Sequence, residues 1–183
     1  MTIRRLVTLV LWAMLACGNA RAQVLESIEV VDYGIYTART TEQWRGADGI
    51  LRNNWVEICH IATTTKVPAR LELILGFHYV VHGKPPGAFV DLRHVTSFPS
   101  PILPPGHAKP VARLERRRVP AMGTREFAAY AFDEPVELVT GRWVFEIWHR
   151  DRKRLEKSFD VFTDDGGRLP GAGSGGAGCF KAS

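Results

Sequence analysis

The sequence predicts an all-β protein, an antiparallel β-sandwich of about seven to eight short strands. Segments rich in β-branched and aromatic residues recur along the chain, with glycine, proline and charged turns between them. No stretch longer than about ten residues keeps the periodicity of an amphipathic helix. These two observations favour sheets over helices, and the length of the chain suits one domain.

Ahead of the first strand, the N-terminus has the three parts of a cleavable secretory signal. Arg4 and Arg5 supply positive charge, residues 6–16 form an apolar run, and Ala20–Ala22 supplies small residues at a cleavage site. The apolar run is shorter than the roughly 20 residues that span a bilayer. We therefore expect cleavage after Ala22, with an uncleaved membrane anchor as the alternative.

Export places the mature chain in the periplasm or outside the cell. A lipid anchor on Cys17 is a minor alternative, because a small residue precedes it, although the bulky Leu15 fits that motif poorly. No later stretch is apolar enough to cross a membrane. The formal net charge of +5 includes three arginines of the signal. The remaining charge gives no reason to expect a nucleic-acid partner.

The first strands are predicted at 27–38 and 55–63, where β-branched and aromatic residues dominate. The polar segment 40–54 between them contains two glycines and is predicted as a loop. Segment 71–81 is the strongest core candidate because it is almost wholly apolar. Its β-branched and aromatic content, followed by a glycine–proline turn, favours a strand.

A further strand is predicted at 89–98. The segment 99–110 follows, and its five prolines predict a long loop or an extended edge outside any sheet interior. Weaker strand candidates lie at 111–119, 126–132 and 137–140.

The last hairpin has the clearest pattern. Trp143, Phe145 and Ile147 alternate onto one face of its first strand, a charged turn occupies 149–152, and a return strand follows.

The chain therefore divides into a signal peptide at 1–22, one β-sandwich domain at 23–163 and a flexible glycine-rich tail at 164–183. Cys59 in a strand and Cys179 in the tail survive cleavage. An oxidising compartment permits a disulfide between them. The alternative is that Cys59 is a small buried hydrophobe and Cys179 a free thiol.

The histidines do not predict a metal site. His78 and His82 are four residues apart, which on a helix would gather two ligands on one face. On a strand, the same spacing separates them by about 13 Å, too far for one ion. The other histidines are scattered along the chain. We expect no metal and no other cofactor.

No catalytic residue is assigned, and the prediction leans against an enzyme. The chain has no G-x-S-x-G motif. Cys59 and His60 are neighbours on a predicted strand, so their side chains would point to opposite faces. The acidic pairs at 133–134 and 164–165 are typical of turns.

The basic cluster at 116–118 has two interpretations. An edge strand guarded by charge against aggregation is the favoured one. Contact with anionic lipid or another polyanion is the alternative.

Several segments resemble a bacterial family catalogued as domain of unknown function 3859. The closing segments 141–148 and 152–159 are similar to its last hairpin, 32–36 to its opening strand, and 76–79 to its middle. The resemblance covers residues 26–162. It implies a small exported domain with an immunoglobulin-like sandwich, and it implies no activity and no functional residue.

A sheet-rich scaffold without a catalytic set favours a non-enzymatic binding module of the cell envelope, with an envelope protein as its partner. Trp44 and Trp148 are the predicted contact residues, because tryptophan is enriched at binding hot spots. Ordinary packing is the alternative for each. Two other functions stay open. One is an envelope hydrolase, or a small-ligand or metal binder, whose site is assembled across loops with His94, His107 and the segment 99–110. The other is a passive structural domain.

Overall fold

The computed structural model describes residues 23–169 and 178–181, which form ten β-strands and one short 3-10 helix. The strands are β1 (Val24–Arg45), β2 (Leu51–Ala62), β3 (Lys66–Pro68), β4 (Ile74–Lys84), β5 (Leu92–Ile102), β6 (Val111–Arg118), β7 (Arg125–Ala131), β8 (Gly141–His149), β9 (Arg152–Phe162) and β10 (Cys179–Lys181). The 3-10 helix, Pro135–Glu137, lies between β7 and β8. Across these residues, no helix is long and apolar enough to cross a membrane.

The strands form two five-stranded sheets that pack as a sandwich. The first sheet has the order β10-β2-β1-β4-β7, and the second has the order β3-β9-β8-β5-β6. All neighbouring strands are antiparallel except β3 and β9, which run parallel. The predicted all-β sandwich is confirmed. Its strand count is higher than expected because β3 and β10 have three residues each, too few to show an alternating pattern.

The core lies between the sheets and is filled by aromatic and branched side chains. Trp143, Phe145 and Ile147 of β8 are all buried, as their alternation predicts. Phe77 of β4 meets Phe145 edge to face, with ring centroids 6.1 Å apart. The indole Nε1 of Trp143 donates a hydrogen bond to the carbonyl of Val139 at 2.8 Å. Each such burial stabilises the fold by about 1.5–3 kcal/mol.

The prediction of a loop at 40–54 is wrong. Strand β1 continues to Arg45 and β2 begins at Leu51, so the two strands form one long hairpin with a short tip. The polar residues near this tip are compatible with a strand because residues 39–45 are exposed to solvent on both faces.

The structure also corrects the start of the predicted loop at 99–110. Strand β5 runs to Ile102 and therefore includes Pro99 and Pro101. Both prolines fit because the pairing of β5 with β8 ends at Ser97, and its register with β6 shifts between Ser97 and Ile102.

The weak strand predicted at 137–140 is replaced by the 3-10 helix at Pro135–Glu137. The carboxylate of Glu137 accepts hydrogen bonds from the backbone N–H groups of Asp133 and Glu134, at 2.7 and 2.9 Å. Such local bonds between a side chain and the backbone compete with extended pairing.

The ends of the chain lie partly outside the described residues. The predicted signal peptide at 1–22, including Cys17, lies outside them, and so do 170–177 and 182–183 of the predicted tail. Within the tail, Cys179–Lys181 forms β10 and pairs with β2. The tail prediction therefore does not hold at β10, where a neighbouring strand satisfies the backbone.

Candidate functional site

The hairpin of β1 and β2 positions Trp44 close to its tip. Its pairing register shifts once after Ile35 and twice around Thr40, and such bulges bend a ribbon. Arg45 forms two hydrogen bonds with the carboxylate of Glu134, at 2.8 and 2.9 Å. These bonds fasten the tip to the segment after β7. Trp44 is thus anchored through its neighbour although 50% of its own surface is exposed.

Strand β6 carries the basic cluster Arg116–Arg118 and ends the second sheet, which agrees with the edge-strand interpretation. Arg117 pairs with Asp91 at 2.8 Å. Within 23–169 and 178–181, Arg116 and Arg118 form no ion pair, and the Nε of Arg116 is buried without a hydrogen-bond partner. Burial, followed by the charges of Arg52 and Arg118, lowers the pKa of Arg116. Two of the three arginines of the cluster therefore have no close counter-ion among the described residues.

The hairpin and β6 border an open groove of about 940 Å³. Aromatic rings, guanidinium groups and side-chain amides dominate its lining, with one carboxylate, one aliphatic residue and one cysteine: Trp44, Trp55, His78 and Phe127; Arg52, Arg116, Arg117, Arg118 and Arg125; Asn53 and Asn54; Glu126, Ile58 and Cys179. Arg52 is neutralised by Asp48 at 2.7 Å. An arginine binds carboxylate or phosphate oxygens through paired N–H groups, and a tryptophan supplies a large flat contact. This combination suits a ligand that is both anionic and partly apolar.

Asp32 on β1 fixes two side chains of the groove, His78 and Arg125. Its carboxylate accepts hydrogen bonds from Tyr36 Oη at 2.5 Å and His78 Nδ1 at 2.7 Å, and it pairs with Arg125. Burial alone raises the pKa of Asp32, but these bonds and charges outweigh it and hold that pKa below its usual value. Burial lowers the pKa of His78. At neutral pH, an ionised carboxylate therefore orients a neutral imidazole that stacks on Phe127, with centroids 4.5 Å apart.

Trp148, the second predicted contact residue, lies in a different depression, of about 620 Å³. It is partly buried, and its Nε1 donates a hydrogen bond to Glu146 at 3.1 Å. The guanidinium of Arg93 lies 5.2 Å above its ring centroid. The structure does not bring Trp44 and Trp148 into one cavity. Arg116 and Arg117 line both depressions, so β6 lies between the two.

The histidines considered for a loop-assembled site have separate partners. His94 lies on β5, where its Nε2 is 2.8 Å from the hydroxyl of Tyr79. His107 packs against Gly49, at which an added Cβ would come within 2.4 Å of the imidazole. Of the four-residue pair considered as metal ligands, His78 contacts Asp32, and His82 contacts Glu29 at 3.0 Å. These contacts use the histidines as hydrogen-bonding and packing groups.

The sulfurs of Cys59 and Cys179 are bonded in the structure, 2.04 Å apart, and join β10 to β2. Glu57 lies beside them and completes the one group of three potential metal ligands found in the described residues. A disulfide sulfur has no thiolate to offer a metal. In this bonded form, the two cysteines hold β10 against β2 instead of binding a metal. This attachment places Cys179 at the groove.

Sequence reasoning missed Arg52 and Trp55 as members of the groove. Arg52 falls in the loop predicted at 40–54, so no strand partner was expected for it. In the structure it pairs across the hairpin with Trp44. The turn residues between Trp44 and Arg52, with Gly46 and Gly49, carry a hairpin signal that could have revealed this pairing.

Comparisons with known proteins agree with this architecture. A family model described as domain of unknown function (DUF3859) matches residues 25–161, which confirms the resemblance in the sequence. No curated protein sequence matches the chain. Among solved structures, the chain is similar to an immunoglobulin-like protein from Pseudomonas aeruginosa, with 26% identity and a TM-score of 0.53. That match covers 79% of this chain and 100% of the other, and it confirms the immunoglobulin-like form of the sandwich.

Proposed function

This chain belongs to the family described as domain of unknown function (DUF3859), and we propose that it is an exported binding module of the bacterial cell envelope. The N-terminal segment supports export. Two arginines, a short apolar run and small residues before Gln23 follow each other in the order of a secretory signal.

The observation that carries the binding role is the groove between the hairpin and β6. Trp44 exposes 50% of its surface there. The groove also contains Arg116 and Arg118 of β6, which form no ion pair with any described residue. A partner that covers the exposed indole and supplies negative charge to the unpaired guanidinium groups would be bound favourably. The partner we propose is a protein of the envelope that engages this groove.

A crosslinking pull-down from the host's envelope tests this proposal. The bait is the mature protein, residues 23–183, compared with its Trp44→Ala and Phe89→Ala variants. Phe89 is the matched control because it is also exposed, at 64%, and does not line the groove. We expect one dominant partner that Trp44→Ala loses and Phe89→Ala keeps. A partner profile that is identical for all three proteins would contradict a binding role for the groove.

A further inference from the structure

Strand β6 presents an open edge. It pairs with β5 on one side and has no strand on the other within the described residues. An edge strand keeps a row of backbone N–H and C=O groups available for another chain. The molecule already contains one example of edge pairing, because the three-residue strand β10 adds to the edge of β2.

The side chains of β6 divide between the two sides of this edge. Arg116 and Arg118 line the opening between the sheets beside β7, which Arg117 does not. Arg117 lies opposite Arg93 in the pairing of β6 with β5, in the depression that contains Trp148. Successive residues of a strand point to opposite faces. A strand added to β6 would therefore send alternate side chains toward the groove and toward the Trp148 depression.

We propose that an acidic, extended segment of a partner protein adds to β6 as a further strand. Its carboxylates pair with Arg116 and Arg118 on the groove side, and its other side chains cover Trp148. This inference rests on the proposed function and names the chemistry of the partner. The charge of β6 selects acidic sequences, and the backbone of β6 requires an extended polypeptide.

Two features of β6 make it selective for such a segment. Arg116 forms no ion pair in the described residues and its Nε has no hydrogen-bond partner there, so an added carboxylate would supply its guanidinium group with a counter-charge. Arg117 is held by the exposed Asp91, whose side chain is 57% accessible, so that pair exchanges readily for another acid. The same arginines would repel a basic or arginine-rich edge strand of a second copy of this chain.

Fluorescence anisotropy of a labelled peptide tests the proposal on the mature protein. The probe is a peptide of about ten residues that alternates glutamate with valine, long enough to cover β6. Its controls are the same peptide with lysine for glutamate, and the same peptide with alternate backbone nitrogens methylated along the edge that would face β6. The protein variants are Arg118→Glu and, as a matched control on the opposite edge of the sheet, Lys66→Glu.

We expect the acidic peptide to bind and the lysine peptide not to bind. Methylation should weaken binding by about tenfold or more, because the strand's hydrogen bonds are lost. Arg118→Glu should weaken it by about tenfold, while Lys66→Glu should change it by less than about twofold. Circular dichroism of both variants verifies that the sheets are retained.

Three results would overturn the proposal. Equal binding of the methylated peptide would show that charge alone acts, without strand addition. Equal or tighter binding of polyphosphate or anionic lipid vesicles, with the same dependence on Arg118, would assign the edge to polyanions other than polypeptide. Absence of peptide binding, while the envelope partner still depends on Trp44, would leave the binding role intact and reject an acidic strand as the ligand. If capture of the envelope partner is also unaffected by Trp44→Ala, the proposed function fails as well.

Discussion

The hydroxyl of Tyr79 on β4 lies 2.8 Å from the imidazole Nε2 of His94 on β5, a polar contact that joins the two sheets across the sandwich. Burial, with the nearby charges of Arg118 and Arg116, lowers the pKa of His94 to about 3. The imidazole is therefore neutral at physiological pH, and its tautomer decides whether Nε2 accepts a hydrogen bond from the Tyr79 hydroxyl or donates one to it. Burial, together with two arginines that line the groove, thus keeps His94 uncharged.

This contact predicts a loss of stability on mild acidification. His94 has an ordinary pKa of 6.5, which applies in the unfolded chain, so the unfolded chain takes up a proton first as the pH falls. The contribution of His94 is complete above pH 6.5 and is lost progressively toward pH 3. The slope is at most about 1.4 kcal/mol per pH unit. Urea unfolding between neutral pH and about pH 4.5 measures it, above the range in which most carboxylates titrate.

His94→Gln is the control for this pH dependence, because glutamine keeps a hydrogen-bonding group without a titrating one. The variant should be less stable at neutral pH and show a flatter pH profile. If the profiles of the wild-type protein and the variant run parallel through this window, His94 is not the group that titrates.

The tryptophans of β8 are predicted to differ sharply in their contribution to stability. Trp143 is fully buried and packs against Phe98 and Phe132, so Trp143→Ala should cost about 3–5 kcal/mol. Trp148 is partly exposed beside Arg93, and Trp148→Ala should cost about 1 kcal/mol. Urea denaturation followed by circular dichroism compares the two variants. Unfolding of the protein by Trp148→Ala would assign that residue to packing and remove it as a contact.

Much of the fold was readable from the chain because strand alternation is a local signal. The pattern of Trp143, Phe145 and Ile147 predicts a buried face, and the structure has it. The sequence did not predict the strands near the hairpin tip. Both faces of residues 39–45 are exposed to solvent, and this removes the alternation that identifies a strand. The groove could not be predicted from the sequence for a different reason. It joins Arg116 of β6 to Trp44 of β1, and sequence shows neither the distance nor the sheet order that brings such positions together.

The bond between Cys59 and Cys179 is predicted to form in the native protein under oxidising conditions and to stabilise it. It closes a loop across a sequence separation of 120 residues, for which the chain-entropy treatment gives at most about 4–5 kcal/mol. Intact mass before and after reduction measures the bond directly, through the gain of two hydrogens. Cys179→Ser should lower the melting temperature of the oxidised protein. Two free thiols in the native protein purified under oxidising conditions, detected by maleimide labelling, would contradict the bond.

The pair of Arg45 and Glu134 is predicted to matter for binding more than for stability. It fastens the hairpin tip through two hydrogen bonds, but it lies at the surface, where an ion pair contributes little to folding. Glu134→Gln should therefore leave the melting temperature nearly unchanged. It should weaken capture of the envelope partner because Trp44 is held less firmly. The parallel control is Glu57→Gln, which removes the exposed contact with Arg39. Equal effects of the two substitutions on capture would show that anchoring of the tip has no role.

Site-specific photocrosslinking in the host envelope tests the location of the binding surface most directly. A photoreactive phenylalanine replaces Arg113 on β6 or Lys66 on β3, two exposed residues at opposite edges of the second sheet. We predict a discrete crosslinked partner from position 113 and none from position 66, and loss of the position 113 product when Arg118→Glu is added. A partner crosslinked from position 66 but not from position 113 would contradict the assignment of binding to β6 and its groove. A position 113 product whose yield is unchanged by Arg118→Glu would contradict it as well.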